Sequence, residues 1–113
     1  EQGALPGLAI DEPYGDWSGF NTLVIDLINP GPTPLDLILN VDDMRGSGKP
    51  GDRYDERLQL APRSRRVLRT PLEMMVKAIP HRRFALDDMD IVMIYRLGPA
   101  AGEQLLVRRI WLE

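Results

Sequence analysis

The stretch LDLILNVDDMRGSGKPGDRYDERLQL, residues 35–60, contains two alternating runs of apolar and polar residues on either side of a Gly-rich loop. Successive residues of a strand point to opposite faces of a sheet, so alternation of this kind predicts half-buried strands. The first run, 35–42, places on one face Leu35, Leu37, Leu39 and Val41. The second run, 53–60, places on one face Tyr54, Leu58 and Leu60. Residues 44–52 carry three glycines and a proline, which predicts a flexible loop between the strands.

Glu56 interrupts the second apolar pattern. Its position in 53–60 has the same parity as Tyr54 and Leu58, which we expect to face the core. Two explanations are open: a β-bulge that turns the side chain outward, or a buried carboxylate with a polar partner.

Composition supports a β-rich domain. A chain of 113 residues is long enough for one domain with one core. Apolar residues make up 43% and charged residues 27%, which is typical of a globular protein and too apolar for disorder. The 10 prolines and 10 glycines fall between the apolar runs, which indicates many turns and short strands. We therefore predict a single β-sandwich domain over 1–113. Excision of this domain from a larger protein is compatible with the prediction.

The rest of the chain continues the pattern of short strands. We predict an edge strand at 8–11 and further strands at 20–29, 67–71, 90–97 and 104–112. The basic segment APRSRR, 61–66, is predicted to be a turn. The best helical candidate is 72–79, which Pro71 opens and Pro80 ends. Together these elements predict an all-β fold: an antiparallel β-sandwich with one short helix.

Charge and residue usage exclude several functions. A net charge of −3 and a pI near 5.1 give no general attraction for nucleic acid or for an anionic membrane. No apolar run reaches the length of a membrane span, so we expect no direct insertion into a bilayer. The absence of Cys removes disulfides and thiolate chemistry. A signal peptide or neighbouring domain would be invisible here, because the chain starts at Glu1.

The order of these segments resembles that of galactose-binding-like jelly-roll domains, which include many carbohydrate-binding modules. The resemblance is carried by DWSGF (16–20), by 23–43, which ends in Asp-Asp, by DRYDERLQLAP (52–62), by 84–95 and by the closing RIWLE. It covers most of the chain from Asp16 onward. It implies a jelly roll that serves as an accessory domain, and a bacterial, extracytoplasmic or secreted setting would suit that family.

One departure concerns a structural calcium ion. Members of this family often carry Asp-Asn before the closing Ile-x-Leu, where the Asp helps to hold calcium, but this chain has Arg108-Arg109. Calcium prefers six to eight oxygen ligands, and a guanidinium supplies none. We therefore expect no cofactor. A calcium ion held near the N-terminus by Asp11, Glu12 and Asp16 is the alternative, which the arginine pair disfavours.

The outer side of the predicted sheet provides the candidate binding residues. If the apolar residues of the strands are buried, the opposite parity presents carboxylates, amides, a guanidinium and one aromatic ring. Such a mixture suits a sugar, whose hydroxyl groups hydrogen bond to polar side chains while its CH face lies on a ring. We predict a ligand-binding face made of Tyr95, as the platform, with Asp36, Asn40, Asp42, Asp55, Arg57 and Gln59.

Two alternatives to a sugar site remain. The face is equally explained as the solvated side of a sheet. It also carries Ile38, Met93 and Leu97, and an apolar outer surface suggests docking against a neighbouring domain or a second copy. We predict no enzymatic activity, because the adjacent acid pairs Asp42-Asp43, Asp55-Glu56 and Asp87-Asp88 split across a strand, whereas a glycosidase needs two converging carboxylates. The single histidine, His81, is predicted to lie in a loop.

The two tryptophans have different expected roles. Trp17 in DWSGF is predicted to close one end of the sandwich. Trp111 has the opposite parity to Ile110 and Leu112, so it is predicted to lie on the outside of its sheet or beneath the N-terminal segment. The glycan, the parent protein and the oligomeric state cannot be read from the sequence.

Overall fold

Two antiparallel sheets pack face to face in the computed structural model, which describes residues 15–97 and 105–113 and the backbone of 7–10. The described strands are β1 (Gly7–Ile10), β2 (Thr22–Asn29), β3 (Leu35–Asp43), β4 (Tyr54–Leu60), β5 (Ser64–Pro71), β6 (Met89–Arg96) and β7 (Leu106–Leu112). One helix, α1 (Leu72–Ala78), follows β5. The four-stranded sheet has the order β1-β6-β3-β4, and the three-stranded sheet has the order β5-β2-β7. The predicted antiparallel β-sandwich with one short helix is confirmed.

The core lies between the sheets and is built by the alternation seen in the sequence. Every second residue of β3 from Leu35 to Val41 is buried, and each pairs with a residue of β4 or β6 whose side chain also faces inward. In β2, Leu23, Ile25 and Leu27 have no exposed surface. Burial of each such side chain contributes roughly 1.5–3 kcal/mol, which makes this layer the main stabilising feature of the sandwich.

One end of the sandwich is closed by large side chains outside the strands. Trp17 is 1% exposed and belongs to the same buried cluster as Phe84 and Met75 of α1. Pro71 precedes the helix and Ile79 ends it, so α1 is one residue shorter than predicted. Within the described residues, no helix combines the length and the apolar character needed to cross a bilayer.

Glu56 is a core-side carboxylate with partners, and β4 contains no bulge. The register of β4 with β3 runs unbroken from Tyr54 to Leu60. The Tyr54 hydroxyl donates to Glu56 Oε1 at 2.8 Å, and the Thr70 hydroxyl of the opposite sheet donates to the same oxygen at 2.9 Å. Burial, followed by this hydrogen bond to Glu56, raises the pKa of Tyr54 far above its ordinary value. A bulge is therefore excluded, and Glu56 is a paired carboxylate on the core side that is half-buried rather than buried.

The predicted turn at 61–66 is wrong in its second half. Strand β5 begins at Ser64, and Arg65 and Arg66 are paired with Ile28 and Leu27 of β2. The reversal is made earlier, at Arg63, which adopts a left-handed backbone with φ 51°. The physical reason is that β2 pairs along its whole length, and its Asp26 gives Arg65 a carboxylate partner within the sheet.

Candidate functional site

The seven predicted site residues all lie on the outer surface of the four-stranded sheet, which we call the four-strand face. Four of them are exposed, Asp36, Asp55, Arg57 and Gln59, while Tyr95 and Asp42 are half-buried. Asn40 is different, because it is only 2% exposed although its side chain has the outward parity. The strand register arranges these residues in rows that run across β4, β3 and β6.

The central row carries the aromatic ring and a free guanidinium. Arg57 pairs with Ile38, and Ile38 pairs with Tyr95, so the three side chains form one line across the face. Opposite Tyr95 on the edge strand β1 stands Gly7, which has no side chain to flank the ring. Neither the Arg57 guanidinium nor the Tyr95 hydroxyl has a hydrogen-bond partner in the part of the chain that the structure describes. Both groups are therefore open to a ligand.

The next row holds its polar groups in place by internal hydrogen bonds. Asp55 and Asn40 are register partners, and the Asn40 amide donates to Asp55 Oδ1. Arg53 Nε donates to the same oxygen at 2.8 Å, and Arg53 Nη1 donates to the carbonyl oxygen of Gly48 at 2.7 Å. Asn40 thus orients Asp55 rather than offering its own amide to solvent. Arg53 was not predicted as a site residue, although its parity, shared with Asp55 and Arg57, places it on this face.

The two remaining predicted carboxylates occupy opposite ends of the face. Near the end of β4, Gln59 Nε2 donates to Asp36 Oδ1 at 3.2 Å. At the other end, Asp42 Oδ1 is buried without a hydrogen-bond partner. Burial raises the pKa of Asp42 above its ordinary value, and the neighbouring Asp90 and Asp55 add to the rise while Arg53 opposes it. The face as a whole is acidic, because the carboxylates on and beside it outnumber the guanidinium groups of Arg53 and Arg57.

The Gly-rich loop 44–52 beside this face is held by a cluster that we call the Arg82 clasp, made of Arg82, Asp43 and Asp52. Arg82 donates to both carboxylate oxygens of Asp43 at 2.7 and 2.8 Å and to Asp52 Oδ1 at 2.7 Å. The Asp43 side chain is fully buried and also accepts from the backbone N–H of Ala85 at 2.7 Å. A Cβ on Gly46 would lie 2.8 Å from the carbonyl oxygen of Asp52, so only glycine fits there. The loop predicted to be flexible is therefore tied down at its base.

Electrostatics of the clasp favour the ionised carboxylates. Burial alone would raise the pKa of Asp43, but the hydrogen bonds from Arg82 and Ala85 outweigh it and hold that pKa below its ordinary value. Hydrogen bonds from Arg82 and Ser47 lower the pKa of Asp52 far below its usual range. His81, predicted as a loop residue, contacts Asp52 with Nε2 3.2 Å from Oδ1.

The outer surface of the three-stranded sheet, which we call the three-strand face, is covered by its own side chains. Arg65 binds Asp26 through two hydrogen bonds of 2.9 and 2.8 Å, and Asp26 is 6% exposed. The Arg109 guanidinium lies 4.5 Å from the centre of the Trp111 ring. Trp111 has the outward parity that the sequence predicts, and it is half-buried on this face.

The described residues do not fit a structural calcium ion. Asp16 accepts hydrogen bonds from the backbone N–H and the hydroxyl of Ser18, both on Oδ1. Arg108 stands at the position of the expected Asp ligand, and its neighbour Arg109 stacks on Trp111. The other two candidate ligands, Asp11 and Glu12, lie outside the described residues. Across 15–97 and 105–113, no three acidic or histidine side chains converge to hold a metal ion.

Solved structures with the same fold include carbohydrate-binding modules. The chain is similar to part of the protein named PfGH50B, with 16% identity and a TM-score of 0.76 over 97% of this chain, which spans 18% of that protein's chain. It is also similar to the family 11 carbohydrate-binding module from Clostridium thermocellum in complex with a β-1,3-1,4-mixed-linked tetrasaccharide, with 17% identity and a TM-score of 0.60, over 96% of this chain and 67% of that one.

A second structure of a family 11 module, from the cellulosomal cellulase Lic26A-Cel5E of Clostridium thermocellum, gives the same result. Its identity is 17% and its TM-score 0.56, over 96% of this chain and 66% of that chain. No protein-family model and no curated protein matches the sequence. The resemblance seen in the sequence is thus confirmed at the level of fold: the chain has the jelly-roll fold of carbohydrate-binding modules.

Proposed function

We propose that this chain is a non-catalytic carbohydrate-binding module whose four-strand face binds a poly- or oligosaccharide. The observation that carries the proposal is the central row of that face, where a half-buried Tyr95 and an unpaired Arg57 stand in line with Ile38 between them. The module comprises residues 1–113 as a single β-sandwich domain. In a longer protein it would serve beside other domains.

The role proposed for each residue depends on whether its side chain is unpaired or already held by a hydrogen bond. Tyr95 supplies the ring on which the CH face of a pyranose lies, and Gly7 opposite it leaves room for the sugar along the row. Arg57 donates to sugar hydroxyl groups, because its five N–H donors have no partner among the described residues. Asp55 accepts a hydrogen bond from a second sugar hydroxyl. Because Asn40 and Arg53 already hold its carboxylate, Asp55 loses little rotamer freedom on binding. Asp36, Gln59 and Asp42 extend the polar contacts to both ends of the face.

The charge of the face selects the kind of sugar. Four carboxylates, Asp36, Asp42, Asp55 and Asp90, stand against two guanidinium groups on or beside the face. A carboxylated or sulfated chain would be repelled by this excess, so the ligand of the four-strand face is a neutral polysaccharide.

The geometry of the carboxylates supports binding without catalysis. Asp42 and Asp43 point to opposite sides of β3, and Asp43 is fully buried in the Arg82 clasp. Asp55 and Glu56 split in the same way, with Glu56 engaged by Tyr54 and Thr70 on the core side. A glycosidase needs two carboxylates about 5–9.5 Å apart on either side of the scissile bond, and these pairs do not converge on one cleft.

The second candidate function is docking against a neighbouring domain or a second copy. The observation in its favour is a group of half-buried apolar side chains on the four-strand face, made of Ile91, Met93 and Leu97 along and just beyond β6, with Ile38 on the neighbouring strand β3. In this case the face would bind protein, and association would depend on the concentration of the partner.

Affinity electrophoresis across neutral β-glucans, xylans and galactans tests the proposal. We expect retardation of the wild type by at least one polymer, reduced in Tyr95→Ala and largely kept in Tyr95→Phe, since the ring is retained. Arg57→Gln should also weaken retardation. The matched control, Arg63→Gln, removes an exposed guanidinium from the turn between β4 and β5, outside the four-strand face, and should change nothing. If no polymer retards the wild type and sedimentation shows self-association that Tyr95→Ala abolishes, the docking function replaces the carbohydrate one.

A further inference from the structure

The motif DWSGF, residues 16–20, displays an aromatic ring that the four-strand face does not use. Trp17 is 1% exposed and anchors the turn in the core. Gly19 adopts a left-handed backbone with φ 90°, and the backbone N–H of Phe20 donates to the Trp17 carbonyl at 3.3 Å. This turn directs Phe20 outward, where it is 45% exposed. A large ring held in solvent by a rigid turn is a common feature of binding surfaces.

Phe20 lies in a cleft at the end of the sandwich, between the start of β2 and helix α1. The cleft encloses about 590 Å³ and is lined by apolar side chains together with polar ones, among them Phe20, Asn21, Val76, Arg83 and Leu86. A neighbouring depression of about 400 Å³ shares Arg83 and Leu86 and adds Arg45. Each of the two depressions falls within the usual range of small-ligand pockets, about 300–1,000 Å³.

Backbone hydrogen bonds fix the walls of this cleft to one another. The N–H of Trp17 donates to the carbonyl of Leu86 at 2.7 Å, which joins the Phe20 turn to the segment before β6. The N–H of Leu72 donates to the carbonyl of Asn21 at 2.8 Å, which joins the same turn to the start of α1. A ligand would therefore meet walls whose backbone is already in place.

Two cationic side chains of the cleft and the neighbouring depression have no partner among the described residues. Lys77 is paired with Glu73 at 2.9 Å, so these two groups neutralise each other. The side chains of Arg83 and Arg45 are exposed and make no hydrogen bond or ion pair with any described residue. Asp87 is the remaining anion of the lining. The excess is positive, which is the opposite of the four-strand face.

We propose that this cleft is a second binding site, for a sugar residue that carries a carboxylate or a sulfate. The CH face of the ring lies on Phe20, and the anionic group is bound by Arg83, with Arg45 as a further donor on the side of the neighbouring depression. A guanidinium matches the planar oxygens of a carboxylate or sulfate through two parallel hydrogen bonds. The site is independent of the proposed function of the four-strand face, because it uses other residues at another place in the fold.

Titration of the ¹⁵N-labelled chain, followed by NMR, tests the site with trigalacturonate, its methyl ester and a sulfated galactose disaccharide. We expect saturable shifts of the amides of Asn21, Arg83 and Leu86 with one or both anionic sugars, and none with the ester, in which the charge is masked. Arg83→Gln and Phe20→Ala should each weaken binding roughly tenfold, as expected for loss of about 1.4 kcal/mol of interaction. Since both side chains are exposed, both variants should keep the dispersed spectrum of the wild type.

Arg63→Gln, at the opposite end of the sandwich, is the matched control and should bind as the wild type does. Equal binding of the ester, or unchanged binding by Arg83→Gln, would overturn the assignment, as would the absence of saturable shifts with either anionic sugar. Tyr95→Ala should leave these shifts intact, while Arg83→Gln should leave retardation by neutral polysaccharides intact. The two sites can therefore fail separately.

Discussion

The two outer faces of the sandwich are built from similar residue types but differ in how far their polar side chains are paired. On the three-strand face, Arg65 closes on Asp26, and Glu113 accepts from both Arg69 and the Trp111 indole at 2.5 and 2.9 Å. On the four-strand face, Arg57 and Tyr95 keep their polar groups free within the described residues. These pairs stabilise the three-strand face, whereas the four-strand face combines internal pairs, such as Arg53 with Asp55, with two polar groups that stay available.

The two faces also differ in how far the outward side chains at the centre of each sheet are buried. Val24 points to the outside of β2 and yet has no exposed surface, because side chains of the flanking strands cover it. Ile38 occupies the equivalent central position on β3 and stays partly exposed between Arg57 and Tyr95. Val24 therefore offers no surface to a ligand, whereas Ile38 does.

The largest expected effect concerns the Arg82 clasp at the end of the four-strand face. Arg82→Ala would leave the fully buried Asp43 carboxylate without its charge partner, and loss of one member of a buried pair costs about 3–5 kcal/mol of unfolding free energy. The free energy of unfolding in urea measures this loss. Arg83→Ala is the matched control, since its neighbouring guanidinium is exposed and unpaired, and it should stay within about 0.5 kcal/mol of the wild type. Equal stability of the two variants would show that the clasp does not hold the loop.

The clasp also shows what sequence reasoning could reach. Alternation predicted β3, β4 and the outward parity of every proposed site residue, because a strand has a fixed period of two. The partner of Asp43 could not be predicted in this way, since Arg82 is 39 residues further along the chain and lies in a loop. The same limit explains the error at Arg65, whose partner Asp26 lies 39 residues earlier. Patterns give the face of a residue, but not which distant charge meets it.

The second prediction makes the same substitution, Asp to Asn, once on each face. Asp26→Asn should lower the melting temperature, because it removes the charge of a carboxylate that accepts two hydrogen bonds from Arg65. Asp42→Asn should raise it at neutral pH, because burial disfavours the ionised form of Asp42, whose pKa is raised and whose Oδ1 has no partner. Thermal denaturation of both variants at pH 7 measures the two shifts. Shifts of the same sign would remove the distinction between the faces.

The third prediction is the response of stability to acid. The folded-state pKa values of Asp26, Asp43 and Asp52 are depressed, so the stability they contribute is present above their unfolded pKa, near 4, and is lost as the pH falls below it. Asp42 has a raised pKa, so its protonation favours the folded state. This effect weakly opposes the loss of stability in acid. We expect the free energy of unfolding to fall as the pH drops from about 5 toward 2. The fall should be shallower in Arg82→Ala, which lacks the cation that depresses two of the three pKa values.

The smallest expected effect is on the open face itself, where a change in binding should come without a change in stability. Arg57→Gln removes a guanidinium that has no partner among the described residues, so its unfolding free energy should stay within about 0.5 kcal/mol of the wild type. Arg65→Gln, on the three-strand face, should be clearly less stable, since it leaves the carboxylate of Asp26 without its bidentate partner. Urea denaturation of the two variants, together with retardation by a neutral polysaccharide, separates the faces. If Arg57→Gln loses retardation and keeps its stability, the Arg57 guanidinium binds the ligand. If Arg57→Gln loses as much stability as Arg65→Gln, Arg57 instead stabilises the sheet.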